Sequence, residues 1–216
     1  MNTSAGTVGR TSQSGMVDVA TVDVVIAAKN EERYIGECLD ALAAQTYDRR
    51  LINVFVADNG STDRTREICK EKGANVISCP GSTVSACRNI GIRAGTGTLV
   101  AFLDAHCIAP LDWISEMVSA FAGPRVGGCQ GGLIYRCTDP WTQRLCQHSI
   151  LNDRKFFRHC TIHARGAAYP WIASGNAMFR RQALERVDLH DENLWIGEDV
   201  DLSWRVVLSG YQLVYA

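Results

Sequence analysis

Leu99-Val100-Ala101-Phe102-Leu103-Asp104-Ala105-His106 is the stretch on which the reading of this chain turns. Its unbroken apolar run reads as a strand buried on both faces, as strands of parallel sheets are. The run ends in a carboxylate, and an imidazole follows two residues later. Ligands of open α/β sheets bind at the carboxyl ends of the strands, so Asp104 and His106 stand where a nucleotide would be held. Carboxylate and imidazole together suit Mg, Mn or Zn. The plainer reading is a strand, an Asp turn and an exposed histidine, and so short a motif does not decide between them.

Two further apolar runs end in the same way. Leu51 to Ala57 stops at Asp58, and Asp58-Asn59-Gly60-Ser61-Thr62-Asp63 leads into a helix pattern from Arg64 to Lys72 that Gly73 ends. Val22 to Ala27 stops at Ala28-Lys29-Asn30-Glu31-Glu32. Ile35, Leu39 and Leu42 follow at helical spacing, which predicts a helix from about Glu31 to Gln45. A short strand over Asn75 to Ser78 and a helix over Thr83 to Ala94 precede the Leu99 strand. This alternation predicts an α/β fold, a mostly parallel sheet flanked by helices on both faces. Beyond Asp104 the pattern is mixed. A helix is expected from Pro110 to Ala122, a Gly-rich strand over Gly127 to Tyr135 and a second strand region over Trp171 to Phe179. A short helix over Gln182 to Val187 and a longer one over Val200 to Ser209 complete the chain.

The length of 216 residues fits one domain with a sizeable core. The first twenty residues, rich in Ser, Thr and Gly and without an apolar h-region, read as a disordered tail rather than a signal peptide. A formal net charge of −1 offers no field for nucleic acid or an anionic membrane. No run approaches the ~18 apolar residues of a membrane span. The nine cysteines are odd in number, form no Cys-X-X-Cys pair, and in Cys38, Cys69 and Cys87 fall inside helix patterns. That usage points to small apolar core residues in a reducing, cytoplasmic setting. Cys137, Cys146, His148, His159, Cys160 and His163 lie close together in sequence, with a spacing that matches no common structural zinc pattern. A zinc site and an ordinary loop at the acceptor side both remain open.

Five pieces in order resemble the family-2 glycosyltransferases of the GT-A fold. They are Val24-Val25-Ile26-Ala27-Ala28-Lys29-Asn30-Glu31, Ala57 to Asp63, Ala86-Cys87-Arg88-Asn89-Ile90-Gly91, Asp104-Ala105-His106, and Gly197-Glu198-Asp199-Val200-Asp201-Leu202. The resemblance spans roughly residues 20 to 216. The sequence departs from the family where Pro is usual at Ala28 or its neighbour, and where His106 replaces the second Asp of the Asp-X-Asp motif.

What the resemblance implies is a metal-dependent, inverting transfer of a sugar from a UDP- or GDP-sugar to an acceptor hydroxyl. The donor site is expected to include Ala27, Lys29, Glu31, Asp58, Arg88, Asn89 and Asp104, with Asp58 accepting a hydrogen bond from the base. Asp104 and His106 are expected to hold a divalent cation, Mn or Mg. Asp199 is the implied general base, with Glu198, Gly175 and Asn176 on the acceptor side and Arg205 near the diphosphate. Each residue also has a plainer reading. Asp58 helps start the next helix, where Ser61 or Thr62 serves as a cap, Glu31 and the Glu198-Asp199 pair serve helix dipoles, and Lys29 and Arg88 are solvated cations. The nucleotide part is expected at about residues 21–106 and the acceptor part at about 107–216. Because family members continue beyond the equivalent of Tyr215-Ala216, a truncated or minimal form is expected. The acceptor is a sugar, a lipid-linked molecule or another hydroxyl compound, the last two compatible with peripheral contact at the inner membrane face. A sugar-phosphate nucleotidyltransferase is the competing enzyme class. It should carry a Gly-rich phosphate loop after the first strand, where this chain has Ala27-Ala28-Lys29-Asn30-Glu31. A nucleotide-sugar-binding module without turnover is the third reading.

Overall fold

The computed structural model describes residues 20–132, 161–162 and 171–216. The expected N-terminal tail, the end of the Gly127–Tyr135 strand and the cysteine–histidine group from Cys137 to His163 lie outside the described residues.

Among the described residues eight strands form one sheet: β1 (Val22–Ala28), β2 (Ile52–Asp58), β3 (Asn75–Ser78), β4 (Leu99–Leu103), β5 (Val126–Gln130), β6 (Thr161–Ile162), β7 (Asn176–Arg180) and β8 (Gln212–Tyr215). Their spatial order is β3-β2-β1-β4-β7-β5-β8-β6. The first four run parallel, with Ala28 of β1 level with Asp58 of β2. β7 is antiparallel to both neighbours, β4 and β5, and begins the mixed half of the sheet. The helices are α1 (Ile35–Ala43), α2 (Thr65–Glu71), α3 (Val84–Ala94), α4 (Trp113–Ser119), α5 (Arg181–Arg186) and α6 (Glu198–Leu208).

The order of elements follows the sequence expectation except for two short strands it did not include, β6 and the final strand β8, which pairs with β5 and β6. The other differences have local causes. α1 begins at Ile35 and not at Glu31, because Asn30 has a left-handed backbone (φ +56°) and residues 30–32 are tied to the next loop instead. Asn30 N–H donates to Ser61 Oγ, Glu31 N–H to Thr65 Oγ1 and Glu32 N–H to Asp63 Oδ2. Asp63, rather than Ser61 or Thr62, caps α2, its Oδ1 accepting from Thr65 N–H at 3.0 Å. Pro110 lies in a turn ahead of α4. That helix passes at Ala120–Ala122 into a 3₁₀ turn.

The period-2 alternation of the strands divides the core into two layers. Val22, Val24 and Ile26 of β1 join Leu99, Ala101 and Leu103 of β4 under α1 and α4. Val25, Val100 and Phe102 face the other way, against Ile92 of α3, Leu184 of α5 and Leu202 and Val206 of α6. Cys38, Cys69 and Cys87 are buried, as their placement in helix patterns predicts. α3 lies so close to the sheet that a Cβ on Gly91 would fall 2.4 Å from Val25 Cγ1.

Asp23, fully buried near the start of β1, accepts from Asn53 Nδ2 at 2.9 Å, Gly97 N–H at 2.6 Å and Arg181 Nη2 at 2.8 Å. Arg181 in turn donates to the carbonyls of Gly97 and Ile92. One carboxylate thus joins β1, β2, the turn before β4 and α5, at the sheet end opposite Asp58 and Asp104. Removing one partner of a buried ion pair strands the other charge at a cost of about 3–5 kcal/mol. Asp23→Ala is therefore expected to lower the stability read by urea unfolding by that amount, and a loss within ~0.5 kcal/mol, the range of an ordinary surface substitution, would remove the pair from this role.

Candidate active site

The carboxyl ends of β1, β2 and β4 converge at one edge of the sheet, so the residues that follow them become neighbours. Asn59 N–H donates to the Ala28 carbonyl at 2.8 Å, which locks the ends of β1 and β2 together. Asp58 is fully buried there. Both of its oxygens accept from Ser61 N–H at 3.3 Å, and Arg66 Nε stands 3.5 Å away. A base reaching this carboxylate would replace one of those partners. Lys29 is exposed beside it, and Ala27 packs half-buried with Ala57, Cys79 and Cys87.

Asp104 lies directly after β4 with its carboxylate partly open to solvent. Its N–H donates to the Gly175 carbonyl at 3.1 Å, and a Cβ on Gly175 would fall 2.6 Å from Asp104 Oδ2. Gly175 thus lets the segment before β7 run against the carboxylate. The ligand atoms of Asp104, His106 and Cys107 lie within 4.8 Å of one another. Glu31 joins this group across the sheet edge, its Oε1 4.0 Å from His106 Nδ1. Cys107 was absent from the sequence expectation, although its place beside His106 was the available signal. Burial, with the Asp104 charge adding to it, pushes its thiol up to about 11 in the absence of a cation.

Arg88 rises from α3 between Asp104 and the start of α6. Its side chain is 8% exposed and donates through Nη1 to Glu198 Oε1 at 2.8 Å, with Nη2 3.7 Å from Asp104 Oδ1. It also sits over the Phe102 ring at 6.0 Å from the centroid. It is therefore neither the exposed helical arginine of the plainer reading nor a cation free for a phosphate. Glu198 is the first residue of α6, entered through Gly197 in the left-handed conformation (φ +80°). Asp199 follows, half-buried, with Oδ1 accepting from Val200 N–H at 2.8 Å. Burial first, and the neighbouring Glu198 charge second, raise its carboxyl above the ordinary range.

Asn89, Asn176 and Arg205 are engaged otherwise than expected. Asn89 is buried and exchanges hydrogen bonds with the backbone of His190, and also donates to Glu192 Oε1. It secures the 190–192 segment rather than lining the cleft. Asn176 accepts from Trp113 Nε1 at 2.8 Å and donates to the Gly132 carbonyl at 2.9 Å, which fits β7 to α4 and β5. Arg205 pairs with Asp201 at 2.6 Å and donates to the carbonyls of Val187 and Leu189, so its charge is spent within the α5–α6 connection.

Other residues of this region were not singled out from the sequence. His190 packs edge-on against Phe102, and burial, helped by the Arg88 and Arg205 charges, depresses its imidazole to about 3, so it is neutral. Trp195 and Ile196 stand exposed just before Gly197 at the entrance to α6. Large apolar residues so close to two acids were a readable signal that their ordinary helix-entry position concealed.

Residues 23–188 match the profile of the family described as glycosyl transferase family 2. Glycosyltransferase AglE of Haloferax volcanii is 29% identical over 201 residues, covering 90% of this chain and 64% of its own length. Validoxylamine A glucosyltransferase of Streptomyces hygroscopicus subsp. limoneus is 26% identical over 221 residues, covering 89% of this chain and 49% of its own. The chain thus spans between about half and two-thirds of the length of these relatives. Among solved structures, the mannosyltransferase PcManGT from Pyrobaculum calidifontis, in complex with GDP-Man and Mn2+, is similar with a TM-score of 0.69 and 22% identity, over 91% of this chain and 55% of that one. S. aureus TarS 1-349 in complex with UDP-GlcNAc is similar with a TM-score of 0.71 and 19% identity, over 91% of this chain and 56% of that one. At such identities the likeness is one of fold, and it is the α/β fold derived above, a parallel half-sheet continued by a mixed one. With the family profile covering most of its length, the chain belongs to glycosyl transferase family 2 and has the GT-A fold.

Proposed function

We propose that this chain carries out a metal-dependent, inverting transfer of a sugar from a nucleotide-diphosphate sugar to an acceptor hydroxyl. One observation carries the reading. Of the adjacent acids at the start of α6, Glu198 is ion-paired with Arg88 at 2.8 Å, whereas Asp199 makes no such pair with it and has a raised carboxyl. A carboxylate made more basic, at the start of the helix that Arg88 ties to Asp104 and the ligand-capable residues beside it, has what a general base requires.

In this reading Asp199 accepts the proton of the acceptor hydroxyl while that oxygen bonds to the anomeric carbon. The bond from that carbon to the diphosphate breaks, its electron pair leaving on the phosphate oxygen. Attack from the face opposite the leaving group is a single displacement, so the configuration inverts. Glu198 and Arg88 hold the start of α6 at the end of β4 and so fix where Asp199 points. Lys29, Glu31, Asp58 and Asp104, at the strand ends, are assigned to the donor. The GDP-Man and UDP-GlcNAc of the structural neighbours support a GDP- or UDP-sugar. Gly175, Glu198 and the exposed Trp195 border the acceptor side.

A carboxylate, an imidazole and a thiol within 4.8 Å fit a divalent cation, and the nitrogen and sulfur donors favour Mn over Mg. Asp104, His106 and Cys107 would hold it. When bound it supplies Lewis-acid stabilisation of the leaving diphosphate. We assign residues 21–106 to nucleotide binding and 107–216 to the acceptor within one domain. Among the described residues no helix is long and apolar enough to cross a membrane. We place the reaction in the cytoplasm, with a soluble or a lipid-linked hydroxyl compound as acceptor. Release of nucleoside diphosphate from a nucleotide sugar tests the reaction class, and formation of pyrophosphate from a triphosphate instead would make the chain a nucleotidyltransferase.

Asp199→Asn keeps size and capping ability but loses basicity. Transfer is expected to fall by ~10²-fold or more while donor affinity by calorimetry stays within a few-fold. Near-normal transfer by this variant would move the base to Glu198 or Asp201. The same assignment fixes the pH dependence. Asp199 takes up a proton as pH falls through its raised pKa and can then no longer accept one from the acceptor. The acid limb of wild-type transfer is thus expected above the ordinary Asp value, and a limb at or below that value would contradict it.

His106→Ala removes the nitrogen donor from the cation group. Calorimetric titration with Mn²⁺, donor nucleotide present, is expected to show weaker binding, by ~10-fold or more, than in the wild type. An unchanged isotherm would take His106 out of the site.

A further inference from the structure

The sulfurs of Cys79 and Cys87 stand 2.8 Å apart, both buried, behind the nucleotide end of the site. Non-bonded carbon atoms in contact rest at about 3.5–4.0 Å, and sulfur is larger. A disulfide bond measures about 2.05 Å. The pair is thus held closer than two resting thiols would settle, and less than an ångström of approach separates it from a bond. Ala57 packs against it, with Ala27 and Ile90 alongside.

Both backbones are held independently of the sulfurs. Cys79 N–H donates to the Asp58 carbonyl at 2.8 Å, continuing the β2–β3 ladder by one residue. Cys87 N–H donates to the Thr83 carbonyl at 3.0 Å in the first turn of α3, which Thr83 Oγ1 caps. The loop between them is clasped by Asn59, whose side chain donates to the Ser82 carbonyl and accepts from Ser82 N–H. The two sulfurs are therefore brought together by hydrogen bonds that belong to the fold.

We propose that Cys79 and Cys87 are an oxidisable pair that closes into an intrachain disulfide, tying the end of β3 to the first turn of α3. The bond would close a loop over residues 79–87, whose two ends adjoin Asp58, the residue whose carbonyl holds Cys79, and Arg88, which follows Cys87. The oxidant class is a peroxide, small and neutral enough to reach a covered sulfur, and the exposed Pro80-Gly81 turn directly follows Cys79. Burial raises both thiols, so attack on peroxide is slow. Of the two, Cys87 is the better placed to lose its proton, because the Cys79 thiol hydrogen bond and the Arg88 charge favour its thiolate. The Cys87 thiolate attacks one peroxide oxygen, the O–O bond breaks, and with one proton taken up a sulfenic acid and one water form. The Cys79 sulfur then attacks the sulfenic sulfur and loses its proton as a second water leaves. The sum is two thiols and one hydrogen peroxide giving one disulfide and two waters. Thiol reductants reverse the bond by exchange.

The sequence simplifies the test. Cleavage after Lys72 and Arg88 releases a peptide of residues 73–88 that contains Cys79 and Cys87 and no other cysteine. The folded full chain is treated with hydrogen peroxide, denatured in a thiol-blocking alkylating agent and digested without reduction. The expected product is the 73–88 peptide lacking two hydrogens and carrying no alkyl group, restored to a doubly alkylated form when reductant precedes the blocking step. Cys87→Ala is expected to abolish it, and Cys69→Ala to leave it in place. Cys79 and Cys87 both alkylated after peroxide, either one linked to a different cysteine, or irreversible oxidation of each separately would overturn the proposal. The wild-type digest decides even where Cys87→Ala does not fold.

Discussion

A guanidinium with 8% of its side chain exposed must be paired, and in this fold the pairing of Arg88 joins the parts that make the site. Arg88 stands on α3, its hydrogen-bonded partner Glu198 opens α6, and Asp104 follows β4. Arg88 and Asp104 come from neighbouring elements of the parallel half, whereas Glu198 lies 110 residues further along the chain from Arg88. One buried charge therefore fixes the distance between the end of β4 and the start of α6. It also separates two adjacent carboxylates chemically. Glu198 receives the cation, and Asp199, half-buried beside a like charge, is left with a raised carboxyl. Neighbouring residues of the same type acquire different properties because only one of them can reach the arginine.

A second set of contacts shapes the edge formed by the ends of β1 and β2. Residues 30–32 give up the first turn of α1 to bond with Ser61, Asp63 and Thr65, and the ends of β1 and β2 become one surface. This brings Glu31 within 4.0 Å of His106, although β2 and β3 intervene in sequence. Beyond it, Gly175 lets the segment before β7 approach Asp104 more closely than any side chain would allow. Asp23 and Arg181 perform the matching task at the opposite end of the sheet. Among the described residues the strands are thus braced by a buried ion pair at each end, Asp23 with Arg181 and Arg88 with Glu198, and the second also fixes Glu198 relative to Asp104.

Strands β1 to β5 and β7, most helices and the division into a parallel and a mixed half were legible in the sequence, because apolar periodicity is a local property that burial on one or two faces imposes directly. The two- and four-residue strands β6 and β8 were too short to show it. Legible too were the acids that end β2 and β4 and the pair that opens α6, since a polar residue closing an apolar run marks a strand end or helix entry whatever its partners. Partnership was not legible. Asn89 and Asn176 sit inside motifs that suggested ligand contact, yet they hold backbone and indole groups of segments distant in the chain. Arg205 was expected at a diphosphate and is consumed by Asp201, four residues away, and by carbonyls of the preceding turn. Cys107 joined the cation group only when the turn after β4 folded its thiol back toward Asp104 and His106. The sequence by itself determined which residues could bear charge, bind a cation or end a strand. Only the tertiary structure decided which of them pair with each other and which are left open to a ligand, because pairing depends on distances across the sheet that no spacing along the chain encodes.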